Sequence, residues 1–114
     1  MTLARPPFRN AAFDVVAVAA SAGGFNALLS MLSKLPAEFP APIAVVQHLD
    51  PRHRSVMAEL LARKVILDVV QAAEGDQICP GRVMIAPPDR HLLINNDGTV
   101  SLTRTQLEIG RAHV

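Results

Sequence analysis

The chain has 114 residues, half of them hydrophobic, with 11 basic and 10 acidic side chains for a formal charge of +1. That length allows one domain, and the balanced charge shows no bias toward nucleic acid or acidic lipid. The four aromatic residues are all Phe, so the core is expected to be aliphatic, and stacking of bases on aromatic side chains is not expected.

The first 11 residues carry Arg5 and Arg9 and read as a flexible leader without the continuous apolar core of a signal peptide. From Asp14 to Ala20 small and branched apolar residues form a strand that runs into Ser21-Ala22-Gly23-Gly24. Phe25, Leu28, Leu29, Met31, Leu32 and Leu35 then recur at helical spacing up to Pro36, and the residue before a proline avoids the helical region. Ile43 to Gln47 is a short buried strand that ends in His48. Asp50-Pro51 reads as an N-cap with proline in the first turn. The helix that follows has Val56, Met57, Leu60 and Leu61 as its apolar stripe.

A third strand is expected over Val65–Val70 and a fourth over Val83–Ala86, broken by Pro87-Pro88. Residues 91–94 and 100–103 flank Asn95-Asn96-Asp97-Gly98, a hairpin with an Asp-Gly turn. Alternating strands and helices predict an α/β domain with a doubly wound, mostly parallel, Rossmann-like sheet and helices on both faces, joined by right-handed crossovers. The hairpin is an addition to it. Ser21 and His48 then fall just beyond the carboxyl ends of strands, where open α/β sheets bind their ligands.

The strand–serine–glycine–helix junction suits two kinds of chemistry. Ser21 is a candidate nucleophile, which needs a base to take its proton and donors for the oxyanion. His48 is the candidate base, since it follows the next strand and titrates in a useful range. Ala22, Gly23 and Gly24 are the candidate oxyanion turn, where glycine permits a tight bend and the helix start offers free N–H groups. The same junction also suits a phosphate or nucleotide cradle, although neither a P-loop lysine nor the Gly-x-Gly-x-x-Gly spacing is present. A third reading has Ser21 only capping the helix. The hydrolase elbow Gly-x-Ser-x-Gly is not matched, because Ala19 stands at its first glycine.

His53, His91 and the single cysteine, Cys79, do not have metal-ligand spacing, so no metal site is expected among them. One cysteine fits a reducing compartment. Glu74-Gly75-Asp76 reads as a solvent-facing acidic turn.

Three stretches in order closely resemble the chemotaxis protein-glutamate methylesterase family. They are Val18 to Gly24, Val45 to Leu49, and Ala73 to Asp76 with Pro80-Gly81 and Ile85 to Leu92. The resemblance implies hydrolysis of glutamate γ-methyl esters, and deamidation of glutamines, on methyl-accepting chemotaxis receptors in the cytoplasm. It implies Ser21 as nucleophile and His48 as general base, with no cofactor, and it leaves open a chemoreceptor methyltransferase as a further partner.

The threonine that often follows the family serine is Ala22 here. The family's third triad member, an aspartate in a later Gly-Met-Gly-x-Asp-Gly segment, is absent from this chain, and Asp97-Gly98 is not that motif. Residues 12–107 are therefore expected to be the N-terminal part of a catalytic domain, C-terminally truncated and inactive as a fragment. Residues 108–114 are expected to be a non-native tail, since Glu108 to Val114 reads like a translated sequencing adapter. A non-catalytic docking module of a signalling protein is the competing expectation.

Overall fold

Apolar alternation and proline punctuation set most of the element boundaries. The computed structural model describes residues 14–21, 24–48, 56–88 and 90–104, with Ser21, Gln47 and His48 described through their backbones. The elements in chain order are β1 (Val16–Ser21), α1 (Phe25–Ser33), β2 (Ile43–His48), α2 (Met57–Ala62), β3 (Asp68–Gln71), β4 (Arg82–Ile85), β5 (His91–Ile94) and β6 (Val100–Thr103). The leader, the Asp50-Pro51 cap, His53 and the 108–114 tail lie outside the described residues.

The first four strands form a parallel sheet in the order β1-β2-β4-β3, and β5 pairs with β6 as an antiparallel hairpin. The parallel sheet and the hairpin are as the sequence predicts. From β1 to β2 and from β2 to β3 the chain steps in the same direction across the sheet. Right-handed crossovers therefore carry α1 and α2 over the same face. Leu28 and Leu32 of α1, and Met57, Ala58 and Leu61 of α2, share one core with Ile43, Val45, Val69, Val83 and Ile85.

The step from β3 back to β4 reverses direction, so its crossover belongs on the opposite face. Ala72 and Ile78 of that crossover pack there with Met84, Val100, Leu92 and Leu102. The chain is thus wound on both faces, but the expected helices on both faces are not what covers them among the described residues. Both described helices lie on one face, and a ten-residue link plus the hairpin cover part of the other. The link runs from Ala72 to Gly81, with turns and an isolated bridge but no helix.

The third strand begins later than expected. Lys64 N–H and Val65 N–H both bond to Leu61 O, at 2.9 and 3.1 Å, so the helix end consumes this stretch. Ile66 is 70% exposed while Leu67 is buried and Val65 packs against the core, which makes Val65-Ile66-Leu67 a turn rather than a strand. Pairing starts at Asp68, opposite Arg82, where Asp68 N–H bonds to Gly81 O at 3.1 Å.

Candidate active site

Strand β1 and strand β2 run in register from Val16 opposite Ile43 to Ser21 opposite His48. The two sequence-predicted residues are therefore the last of their strands and direct neighbours across the ladder, about 4.8 Å apart in the hydrogen-bonding direction. The cause is the pairing of two six-residue strands, one with five apolar residues closed by Ser21 and one with four closed by Gln47 and His48. One residue of slip would separate the two, since register in a buried sheet is fixed by which face each side chain must occupy.

Helix α1 starts immediately after this point. Its N-cap is Gly24, whose carbonyl accepts the Leu28 N–H at 2.9 Å and which has no side chain to cap the helix. Ser21 lies three residues before the N-cap, as the last residue of β1. The first amides of α1 have no acceptor within the helix, and the partial positive charge of its start faces the same rim. Gly24 has φ −90° and ψ 4°, a conformation open to other residues. What Gly24 contributes is the missing side chain rather than an unusual backbone. With Val18, Ala19, Ala20, Ala27, Leu28 and Met31 it lines a groove of about 240 Å³ along the outer edge of β1. Ala22 and Gly23 lie outside the described residues.

The neighbouring strand on the other side is β4. It pairs with β2 from Ile43–Val83 to Val45–Ile85, and Ala86 N–H extends the ladder to Val45 O at 2.8 Å. The chain leaving β2 goes to the helix-covered face, whereas the chain leaving β4 goes to the hairpin on the other face. Where connections part in this way, at the carboxyl end of the sheet, such folds usually place their ligands. Pro87 and Pro88 follow β4, in a turn closed by Arg90 N–H to Pro87 O at 3.3 Å. Sequence reading used Pro87-Pro88 as a strand breaker and within the family-like stretch Ile85 to Leu92. That β4 lies beside β2 comes from long-range pairing, which no local pattern contains.

The remaining sequence candidates are elsewhere. Among the described residues, no group of three or more His, Cys, Asp or Glu is placed to hold a metal ion. Cys79 lines a small groove of about 160 Å³ with Asp14, Pro40, Pro42, Ile78 and Pro80, at the amino end of the sheet. His91 is exposed at the start of β5. The acidic turn ties the hairpin to the crossover: Glu74 Oε1 accepts the Leu102 N–H at 2.8 Å, and Asp76 Oδ2 accepts the Ala73 N–H at 2.9 Å. Asp97 sits in the hairpin turn as expected. Its Oδ1 accepts the Thr99 hydroxyl at 2.6 Å and the Thr99 N–H at 3.0 Å. These bonds, the hydroxyl foremost, hold the Asp97 carboxyl below its ordinary value.

The largest of these grooves, about 480 Å³, lies between β1 and β2 and the hairpin, on the face opposite the helices. Its lining is mostly apolar, and it contains no nucleophile or base. Among the described residues no helix is long and apolar enough to cross a membrane.

Comparison with known proteins agrees with this geometry. The Thermotoga maritima CheB methylesterase catalytic domain, a crystal structure, superposes with a TM-score of 0.73 at 37% identity. The match covers 82% of this chain and 51% of that one. The protein-glutamate methylesterase/protein-glutamine glutaminase 2 of Anaeromyxobacter dehalogenans is 48% identical over 88 residues, 77% of this chain and 26% of the relative. The protein of the same name from Burkholderia orbicola is 44% identical over 102 residues, 90% of this chain and 30% of the relative. The chain thus spans less than a third of these curated relatives and about half of the solved domain. The sequence model of CheB methylesterase matches residues 16–113, a range that contains the β1–α1 junction, the β2 end and the β4–β5 turn. By that match, the chain belongs to the CheB methylesterase family.

Proposed function

We propose that this chain contributes the nucleophile and base of a protein-glutamate methylesterase that also deamidates glutamine, with Ser21 as nucleophile and His48 as general base. The observation that carries the reading is the register of Ser21 opposite His48 at the carboxyl edge of a parallel sheet, beside the start of α1. The names of the relatives supply the substrate class.

In this mechanism the Ser21 hydroxyl attacks the γ-carbonyl carbon of a glutamyl methyl ester while His48 takes its proton. The oxyanion is met by backbone N–H groups at the start of α1, for which Ala22 to Gly24 are the candidates. Collapse of the tetrahedral adduct breaks the bond to the methoxy oxygen, and His48 returns its proton so that methanol leaves. A glutamyl ester on Ser21 remains. Water then attacks that ester, His48 takes the water's proton and passes it to Ser21, and the products are a γ-carboxylate and one released proton. With glutamine the leaving group is ammonia. No metal or cofactor enters. The substrate protein is a methyl-accepting chemoreceptor, reached from the cytoplasm.

Methanol release from a methylated receptor fragment tests the reading. The full-length protein is expected to release methanol, and its Ser21→Ala variant is expected to release none above background. Release that survives Ser21→Ala contradicts the assignment. No release from the wild-type protein favours the docking-module alternative.

A further inference from the structure

Asp97-Gly98 is the one place in the chain where Asp or Asn precedes Gly. Such a pair is chemically weak, because glycine has no Cβ to hinder attack by its nitrogen on the preceding side-chain carboxyl. The hairpin nevertheless needs glycine here, since Gly98 has φ +83°. We propose that Asp97-Gly98 is a site of spontaneous isoaspartate formation that the folded hairpin holds shut, with Thr99 as the latch on the carboxyl.

In the reaction the Gly98 nitrogen bonds to Asp97 Cγ, and its hydrogen leaves with the carboxyl hydroxyl as water. The cyclic imide that results joins Cγ and the backbone carbonyl carbon of Asp97 through one nitrogen. A water molecule then opens it. Cleavage at Cγ restores aspartate. Cleavage at the backbone carbonyl instead leaves the chain running through the side chain, with the former backbone carbonyl as a free carboxyl group. Water is released once and consumed once, and no oxidant, reductant or cofactor takes part.

The folded turn opposes ring closure at each group that has to move. Gly98 N–H donates to Asn95 O at 2.9 Å, which closes a four-residue turn, and Gly98 O accepts the Ile78 N–H at 2.9 Å. Among the described residues no non-glycine has a positive φ, so the turn is type I and holds ψ of Asp97 near zero. Ring closure requires Asp97 Cβ to eclipse the Gly98 nitrogen, far from that ψ. The Asp97 carbonyl oxygen accepts from Gln77 Nε2 at 3.3 Å, and Gly98 is buried with the Gln77 and Ile78 side chains close against it. The carboxyl itself is turned to Thr99, whose hydroxyl and N–H both donate to Oδ1, at 2.6 and 3.0 Å. The same bonds hold it below its ordinary value, and the ionised form is a poor target for a nitrogen nucleophile.

Incubation at neutral pH, followed by peptide mapping that separates aspartate from isoaspartate at position 97, tests the latch. The samples are the full-length protein, its Thr99→Val and Thr99→Ser variants, and a synthetic peptide of residues 92–102, which has no sheet to pack on. The wild-type protein is expected to form isoaspartate at least about tenfold more slowly than the peptide, because the turn must open first. Thr99→Val is expected to react about tenfold faster than wild type, in line with the loss of a hydrogen bond to a charged group. Thr99→Ser keeps the hydroxyl and is expected to stay within about twofold of wild type. A wild-type rate within about twofold of the peptide overturns the proposal. A folded Thr99→Val protein that reacts at the wild-type rate, or a folded Thr99→Ser protein that reacts as fast as the peptide, overturns it as well. Circular dichroism shows whether each variant is folded, and if Thr99→Val is not, the wild-type and Thr99→Ser rates against the peptide decide.

Discussion

Placing an alanine at Gly81 tests how the sheet is locked together at the entry to β4. Gly81 has φ +80°, a left-handed backbone that costs a non-glycine residue roughly 1–2 kcal/mol. A Cβ there would stand 2.7 Å from Ala37 O, which is backbone and belongs to the link between α1 and β2. Ordinary contact begins at 3.4 Å, so either that link or the entry to β4 must shift. Both are tied down: Gly81 N–H bonds to Ala41 O, Asp68 N–H bonds to Gly81 O, and Phe39 N–H bonds to Pro36 O.

Forcing extra atoms into packed structure costs roughly 1–3 kcal/mol more, so Gly81→Ala is expected to lose about 2–5 kcal/mol in total. Gly75→Ala is the internal control. Its φ is +87°, yet an added Cβ meets nothing within 4 Å, which leaves only the conformational cost of about 1–2 kcal/mol. Urea unfolding followed by circular dichroism reads both. With a slope of roughly 1–3 kcal/mol per molar, the Gly81→Ala midpoint is expected to fall about 1 M below that of Gly75→Ala. Equal midpoints for the two variants would refute the clash.

Two further predictions concern the core and the hairpin. Leu61 is fully buried in the core that joins both helices to the sheet, so Leu61→Ala is expected to cost roughly 2–5 kcal/mol. Asp68→Ala, at an ion pair whose carboxylate side chain is 59% exposed, is expected to cost at most about 1 kcal/mol. Unfolding curves in which the surface variant is the weaker of the two contradict this ranking. In the hairpin turn, the folded Asp97 carboxyl titrates below its ordinary value of 3.8, chiefly through the Thr99 hydroxyl and then the Thr99 N–H. Its stabilisation is complete above the ordinary value and is lost as pH falls through the folded value. NMR titration is expected to show the midpoint moving upward in Thr99→Val, and an unmoved midpoint rules out the hydroxyl as the main cause.

Much of the fold is legible in local pattern. The strand ending at Ser21, the helix closed before Leu35-Pro36, the strand ending at His48 and the Asp-Gly hairpin are all set by residues close together in sequence. Two features are not local. The apolar run Val65-Ile66-Leu67 reads as strand, but the helix end takes the Val65 N–H, Leu67 is buried, Val65 packs against the core and Ile66 points to solvent. Which face each crossover occupies depends on strand order, and strand order places both helices together and sends the hairpin to the other side.

The candidate site divides in the same way. Residue type and position single out Ser21 and His48, and the register of β1 on β2 makes them neighbours. The end of β4 lies next to β2 only because β4 inserts between β2 and β3, a long-range choice invisible in a local reading. The acidic turn shows the reverse case: Glu74 reads as a solvated charge, yet its carboxylate holds the Leu102 N–H of a strand 28 residues away.

That Ser21 is the nucleophile and His48 its base is tested most directly by covalent labelling with a fluorophosphonate probe. In the full-length protein the adduct is expected on the peptide that contains Ser21. It is expected to vanish in Ser21→Ala, and to form about 10²- to 10⁴-fold more slowly in His48→Gln, the usual contribution of a general base. Labelling that persists in Ser21→Ala, or that proceeds at the wild-type rate in His48→Gln, would contradict the assignment.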